Sequence, residues 1–230
     1  MICDNVAKVR ERIALACKKV GRDPQEITLI GVTKFAPLSA INEAVAAGIE
    51  HIAENRVQEA QNKFPLVVPS ARKLTKHLIG HLQTNKVKDV LKVVDLIQSV
   101  DSIKLAEEIE RQAAKNGKVF EVLLQVNTAR EEQKYGAAPE DIESIIEAIL
   151  PLAHIKVMGL MAMAPFTDEL SRVANSFQDL RKINERLQHE FSGQANVQLK
   201  YLSMGMSSDF EIAIAEGSNM VRIGTAIFKE

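Results

Sequence analysis

The 230 residues suit one large α/β domain or two small ones, and they match a bare α/β barrel with little left over. Apolar residues make up 46% of the chain, enough for a sizeable core, and 26% charged residues is ordinary for a soluble protein. A formal net charge of −1 supplies no basic field for nucleic acid or anionic lipid, so a phosphate ligand would need a local site.

Val6, Val9, Ile13, Ala16, Cys17 and Val20 recur at helical spacing and predict a leading amphipathic helix closed by Gly21. On one such helix Cys3 and Cys17 lie roughly 21 Å apart, too far for a disulfide. Two unpaired thiols favour a reducing compartment. The N-terminus mixes charged and apolar residues and lacks the apolar core of a signal peptide. No apolar run approaches the roughly 18 residues of a membrane span. A cytoplasmic protein is expected.

After this helix the texture alternates. Short β-branched runs at 27–32, 49–53, 76–80, 93–99, 120–126, 155–163, 197–203 and 220–224 predict strands. Between them, 38–48, 55–64, 84–91, 102–117, 139–150, 168–191 and 207–217 read as helices. Near-continuous apolar strands alternating with helices indicate a parallel sheet covered on its outside. Eight strands close a barrel, so the expectation is a single (β/α)8 TIM-type barrel over residues 1–230 with an extra N-terminal helix. An open doubly wound sheet is the alternative. The polar stretch 128–136 reads as a long βα loop.

A barrel's active site lies at the C-terminal ends of its strands, and polar or glycine residues collect there. They include Lys34 after the first strand, Glu54 and Asn55 after the second, and Gly80, His81 and Asn85 after the third. Asn127 follows the fifth strand and Met163 the sixth. The stretch 203–209 follows the seventh strand, and Gly224 and Thr225 follow the eighth. Loops after strands seven and eight often bind phosphate. Here Gly205 permits close backbone approach, and Ser207, Ser208 and Asp209 are candidate N-caps of the next helix. Lys34 ends an apolar strand, so its stem is expected to pack and its amine to face the pocket, where it can attack an aldehyde. An aldehyde with a phosphate describes pyridoxal phosphate, and equally a sugar phosphate in a Schiff-base aldolase.

The stretches 29–34, 54–60, 77–86, 125–127, 134–136, 159–163, 203–218 and 220–228 resemble, in order, the pyridoxal phosphate homeostasis protein family. These proteins are single-domain relatives of the alanine racemase N-terminal barrel. The resemblance implies that Lys34 carries pyridoxal 5′-phosphate as a Schiff base. It implies that Ser203, Gly205, Gly224 and Thr225 hold the phosphate and that Arg222 faces the pyridine nitrogen. Asn55 and Met206 would line the cofactor, Met206 near its ring. His77, Asn85, Asn127 and Met163 sit in family motifs and are expected to be structural. Ala53 and Lys229 stand where the family usually has glycine.

Pyridoxal phosphate is an electron sink whose strength depends on the partner of its ring nitrogen. A guanidinium only donates, so Arg222 would leave that nitrogen unprotonated. The resembling racemases also use a tyrosine from a second domain as the opposing acid/base, and this chain has no room for that domain. Tyr201 reads as packing, and Tyr135, in the long loop, is expected to lie away from the pocket, with an approach to it as the alternative. The expected function is therefore a monomeric carrier serving vitamin B6 homeostasis without efficient catalysis, with apoenzymes that accept the cofactor as partners. A weak amino-acid racemase and a Schiff-base sugar-phosphate aldolase are the alternatives.

Overall fold

The computed structural model describes residues 1–70, 73–131 and 133–229. Its eight strands are β1 (Thr28–Val32), β2 (His51–Glu54), β3 (Thr75–Leu78), β4 (Leu96–Val100), β5 (Phe120–Gln125), β6 (Ile155–Met161), β7 (Val197–Ser203) and β8 (Met220–Ile223). They form a closed parallel barrel in sequence order, with β8 hydrogen-bonded back to β1. The helices are α1 (Ile2–Lys19), α2 (Leu38–Ala46), α3 (Val57–Lys63), α4 (Val87–Val90), α5 (Ile103–Lys115), α6 (Ile142–Ile149), α7 (Leu170–Glu190), α8 (Phe210–Ala215) and α9 (Thr225–Phe228).

Most strands are covered on both faces, which explains the continuous apolar runs, while Gln198 and Lys200 on β7 and Glu121 on β5 are exposed. Ile30, Val32, Ala53, Leu96, Leu123, Met158, Met161 and Met220 fill the interior. A larger cluster, including Leu29, Ile52, Leu78, Ile97 and Phe177, packs strands against helices. α1 buries Val6, Val9, Ile13, Ala16 and Cys17 and packs on α2, α8 and α9 beside the β8–β1 seam. Polar ties hold it there. Asn5 Nδ2 donates to the Ile227 carbonyl at 3.0 Å, and Arg12 pairs with Glu211 at 2.6 Å while lying 4.6 Å from the Phe210 ring centroid. Cys3 is exposed, Cys17 is buried, and both are free thiols.

The differences from expectation are local. β3 stops at Leu78, leaving Ile79 and Gly80 in the exit loop, and β4 starts at Leu96 because residues 91–93 form a turn. α4 is a single turn preceded by a 3-10 segment at Thr84–Lys86. The short α9 is not expected from sequence. Its Phe228 ring lies 3.6 Å from where a side chain on Gly31 would begin. Ala53 sits fully buried without a positive φ, so alanine is unstrained there. None of the described helices is long and apolar enough to cross a membrane.

Candidate functional site

A cavity of about 1080 Å³ opens at the C-terminal ends of the strands. Lys34, Asn55, Met206, Arg222, Gly224 and Thr225 all line it, so the structure brings together six of the eight residues picked out from sequence. Lys34, Arg56, Lys86 and Arg222 give its lining four cationic side chains, and no Asp or Glu is among the described lining residues. In a chain of net charge −1, this concentrates positive potential where a phosphorylated ligand would sit.

The β1 exit is clamped from beneath. The Thr33 hydroxyl donates to Glu54 Oε1 at 2.7 Å, and Lys63 Nζ donates to the same oxygen at 3.0 Å and to the Thr33 carbonyl at 3.1 Å. Glu54 is fully buried, and its Oε2 has no partner among the described residues. Burial pulls the Lys63 pKa down, but hydrogen bonds to Glu54 and Glu59 outweigh it and the net shift is upward. The chain then turns at Phe35, which is left-handed (φ 65°) and 91% exposed, with Ala36 N–H closing onto the Thr33 carbonyl at 3.0 Å. Lys34, between these features, is exposed, and among the described residues no hydrogen bond or ion pair engages its amine. Sequence reasoning did not find Lys63, since a lysine in the last turn of an exposed helix carries no distinguishing mark.

Ser203 and Gly205 do not line the cavity. Gly205 has φ +95°, and a Cβ there would lie 2.6 Å from Ala213 Cβ and 2.9 Å from Phe210 Cα. Close packing of the loop on α8 therefore requires this glycine. Ser207 and Ser208 line the cavity beside Gly224 and Thr225. Asp209 precedes α8 without capping it through its side chain, and its Oδ1 instead accepts from Met206 N–H at 2.6 Å.

Ser203 is buried and lies under Arg222. Arg222 Nη2 donates to the Ala162 carbonyl at 2.8 Å, and Nη1 donates to Ser203 Oγ at 2.8 Å. Ser203 Oγ donates to Gln98 Oε1 at 2.6 Å. Gln98 Nε2 lies 3.0 Å from His77 Nδ1, and His77 Nε2 lies 3.0 Å from His51 Nδ1. Burial lowers the Arg222 pKa to about 10, with Asp209 opposing, so the guanidinium stays charged at neutral pH. Burial, with His51 adding to it, lowers the His77 pKa to about 3. The structural role expected for His77 is thus an interior hydrogen bond. Gln98 was not anticipated, although a glutamine inside an apolar strand is the mark that could have found it.

His77 makes stability pH-dependent. Its ordinary pKa of 6.5 applies to the unfolded chain, while the folded ring stays neutral down to about 3. The contribution is complete above pH 6.5 and is lost progressively as pH falls toward 3. The His51 pKa is also lowered, chiefly by burial, and acts in the same direction. Urea midpoints are expected to fall from pH 7 to pH 4, and His77→Gln is expected to flatten that slope. Equal slopes for the two proteins would contradict the assignment.

At the rim, His81 and Tyr135 both line the cavity and stack at 4.2 Å between centroids with planes 12° apart. His81 Nδ1 lies 3.5 Å from Asp101. The expectation for Tyr135 is thus corrected. Gln125 Nε2 donates to the Tyr135 carbonyl at 2.9 Å, and the Val126–Ala137 bridge folds the long loop back over the barrel. Asn127 Nδ2 holds the same loop through the Glu131 carbonyl at 2.9 Å. Asn85 is exposed in its 3-10 turn, and Met163 lines the cavity.

Fold and site place the chain among barrels of the alanine racemase type. A family model for the alanine racemase N-terminal domain matches residues 5–230. Among curated proteins, the pyridoxal phosphate homeostasis protein of Aquifex aeolicus (strain VF5) is 42% identical over 228 residues, covering 99% of this chain and 97% of the relative. That of Pseudomonas aeruginosa is 38% identical over 227 residues, covering 99% and 94%. The chain belongs to the pyridoxal phosphate homeostasis protein family. The solved structure of Synechococcus elongatus PipY with PLP bound aligns with a TM-score of 0.85 at 34% identity, covering 99% of this chain and all of PipY. Alanine racemase of Clostridium difficile shares the fold, with a TM-score of 0.72 at 18% identity over 57% of its length.

Proposed function

We propose that the protein binds pyridoxal 5′-phosphate as a Schiff base on Lys34 and carries it in the cytosol for vitamin B6 homeostasis, as a monomer without efficient catalysis of its own. The observation that carries this reading is the cavity itself. A lysine amine with no partner among the described residues stands at one strand exit, a cationic lining whose described residues include no carboxylate surrounds it, and the donor-only guanidinium of Arg222 lines the same cavity. Ser207, Ser208, Gly224 and Thr225 would hold the phosphate, and Asn55 and Met206 would flank the ring. Bound there, the cofactor supplies an aldehyde carbon that exchanges between amines. The charged Arg222 cannot take a proton from the ring nitrogen or keep one on it, which weakens the electron sink. The exposure of Lys34 suits a carrier, because an incoming amine from an accepting apoenzyme must reach the imine to displace it.

The purified protein is expected to be yellow, to bleach with borohydride, and to yield a pyridoxyl-modified peptide at Lys34, with Lys34→Ala neither coloured nor labelled. A label on Lys86 or Lys134 would overturn the site. A colourless protein labelled only with a sugar phosphate present would point to an aldolase. Tyr135 at the cavity favours one second reading, a weak amino-acid racemase with the phenol as a second acid/base. Turnover of D- or L-alanine lost in Tyr135→Phe would support it.

A further inference from the structure

We propose that Gln98 and His77 are positioning residues for Arg222, acting through Ser203 in a hydrogen-bond chain of fixed direction that crosses the barrel interior from the cofactor cavity to His51. The proposal rests on the reading above only in taking Arg222 as the group that faces the cofactor ring.

The direction follows from elementary donor counting. A guanidinium has no acceptor, so Ser203 Oγ must accept from Arg222 and send its one hydrogen to Gln98 Oε1. That fixes the amide, because its oxygen is turned toward Ser203 and its NH₂ must face His77 Nδ1. A neutral His77 then accepts at Nδ1, carries its hydrogen on Nε2, and donates to His51 Nδ1. Each bond has its sense set by the one before it, starting from Arg222. The inner members, Ser203, Gln98 and His77, are buried away from the cavity, so none can turn to water for a replacement partner.

The far end lies elsewhere. His51 lines a second cavity, of about 420 Å³, at the N-terminal mouth of the barrel, together with Arg10 of α1 and Glu50. Burial holds its pKa below the ordinary value, with Glu50 and Asp95 opposing. A proton on His51 Nδ1 would set two donors face to face across the 3.0 Å contact with His77. Relief would require His77 to move its hydrogen to Nδ1 and Gln98 to rotate its amide. Ser203 would then receive two donors and have no acceptor for its own hydrogen. Events at one mouth of the barrel are thereby felt by the arginine at the other.

The test uses the full chain with ¹⁵N-labelled histidine, with and without pyridoxal 5′-phosphate. In the wild type both His51 and His77 are expected to be Nε2–H tautomers. Gln98→Glu still accepts from Ser203 but has no hydrogen to give, so His77 is expected to carry a hydrogen on Nδ1 in that variant. Gln98→Leu is expected to weaken cofactor binding about tenfold and to shift its absorption band, while borohydride still labels Lys34. An Nδ1–H His77 in the wild type, an unmoved tautomer in Gln98→Glu, or unchanged affinity and spectrum in Gln98→Leu would each overturn the proposal. Failure to label Lys34 in the wild type would instead sink the cofactor reading, and the tautomer measurement would still decide the chain's direction.

Discussion

Replacing Lys63 by methionine is expected to cost about 3 kcal/mol of stability and to weaken cofactor binding, although Lys63 does not line the cavity. Glu54 has no exposure, and one of its oxygens already lacks a partner among the described residues. The other oxygen is held by Thr33 Oγ1 at 2.7 Å and by Lys63 Nζ at 3.0 Å. Lys63 is therefore the cation that balances the buried carboxylate. Removing one member of such a pair costs far more than losing a surface pair, because the remaining charge cannot reach water. The bond from Lys63 to Glu59 lies nearer solvent and adds little, with Glu59 43% exposed. The cavity feels the change because Lys63 also donates to the carbonyl of Thr33, the residue before Lys34. Thr33→Val removes one hydroxyl bond and leaves the charges paired, so about 1 kcal/mol is expected there. Urea unfolding of the three proteins measures the contrast. A Lys63→Met midpoint equal to that of Thr33→Val would show that the ion pair does not hold the β1 exit.

Much of this architecture could be read from residues alone. Runs such as LIGV and the VLL within FEVLLQV are apolar on both faces, as suits a covered parallel strand, and the eight runs sit at spacings that leave room for helices. Every expected strand has a counterpart in the barrel. The ends were harder to place, because strand termination depends on pairing partners. Ile79 and Gly80 continue the β3 pattern but lie past its last ladder pair. The four-residue α9 is too short to show a period.

Membership of the cavity rim was legible for the same reason, since strand exits fall on one end of a closed barrel. Which way a side chain points was not. Ser203 ends β7 and neighbours the loop that reaches the cavity, yet its hydroxyl turns down to Gln98. That orientation follows from strand register, and register shifts in β4 and between β6 and β7 alter it locally. Tyr135 was misplaced because the return of a long loop depends on contacts such as Gln125 to the Tyr135 carbonyl, which no local pattern encodes.

Gly80→Ala is the second substitution expected to have a large effect, and its mechanism is purely steric. A Cβ on Gly80 would overlap the carbonyl oxygen of Asn55 and lie 2.8 and 2.9 Å from its carbonyl carbon and Cα. All three atoms are backbone, so no rotamer change can relieve the contact, and the β2 or β3 exit must move. The Gly80 carbonyl is itself fixed by the Ser99 hydroxyl at 2.6 Å, which resists movement on the β3 side. The strain falls on Asn55 and on His81, both of which line the cavity. Forced overpacking of this kind costs about 3 kcal/mol, or roughly 6–12 °C in melting temperature for a chain of this size, and cofactor affinity is expected to fall with it. Gly31→Ala is the matched control, since its Cβ would meet only ordinary contacts, 3.4 Å to Ile49 and 3.6 Å to Phe228. Near-wild-type melting is expected for Gly31→Ala. If both variants melt alike, the close passage of the β3 exit over Asn55 does not shape the cavity. If Gly80→Ala alone loses stability and cofactor affinity together, one backbone contact sets both the end of β3 and the wall beside Asn55.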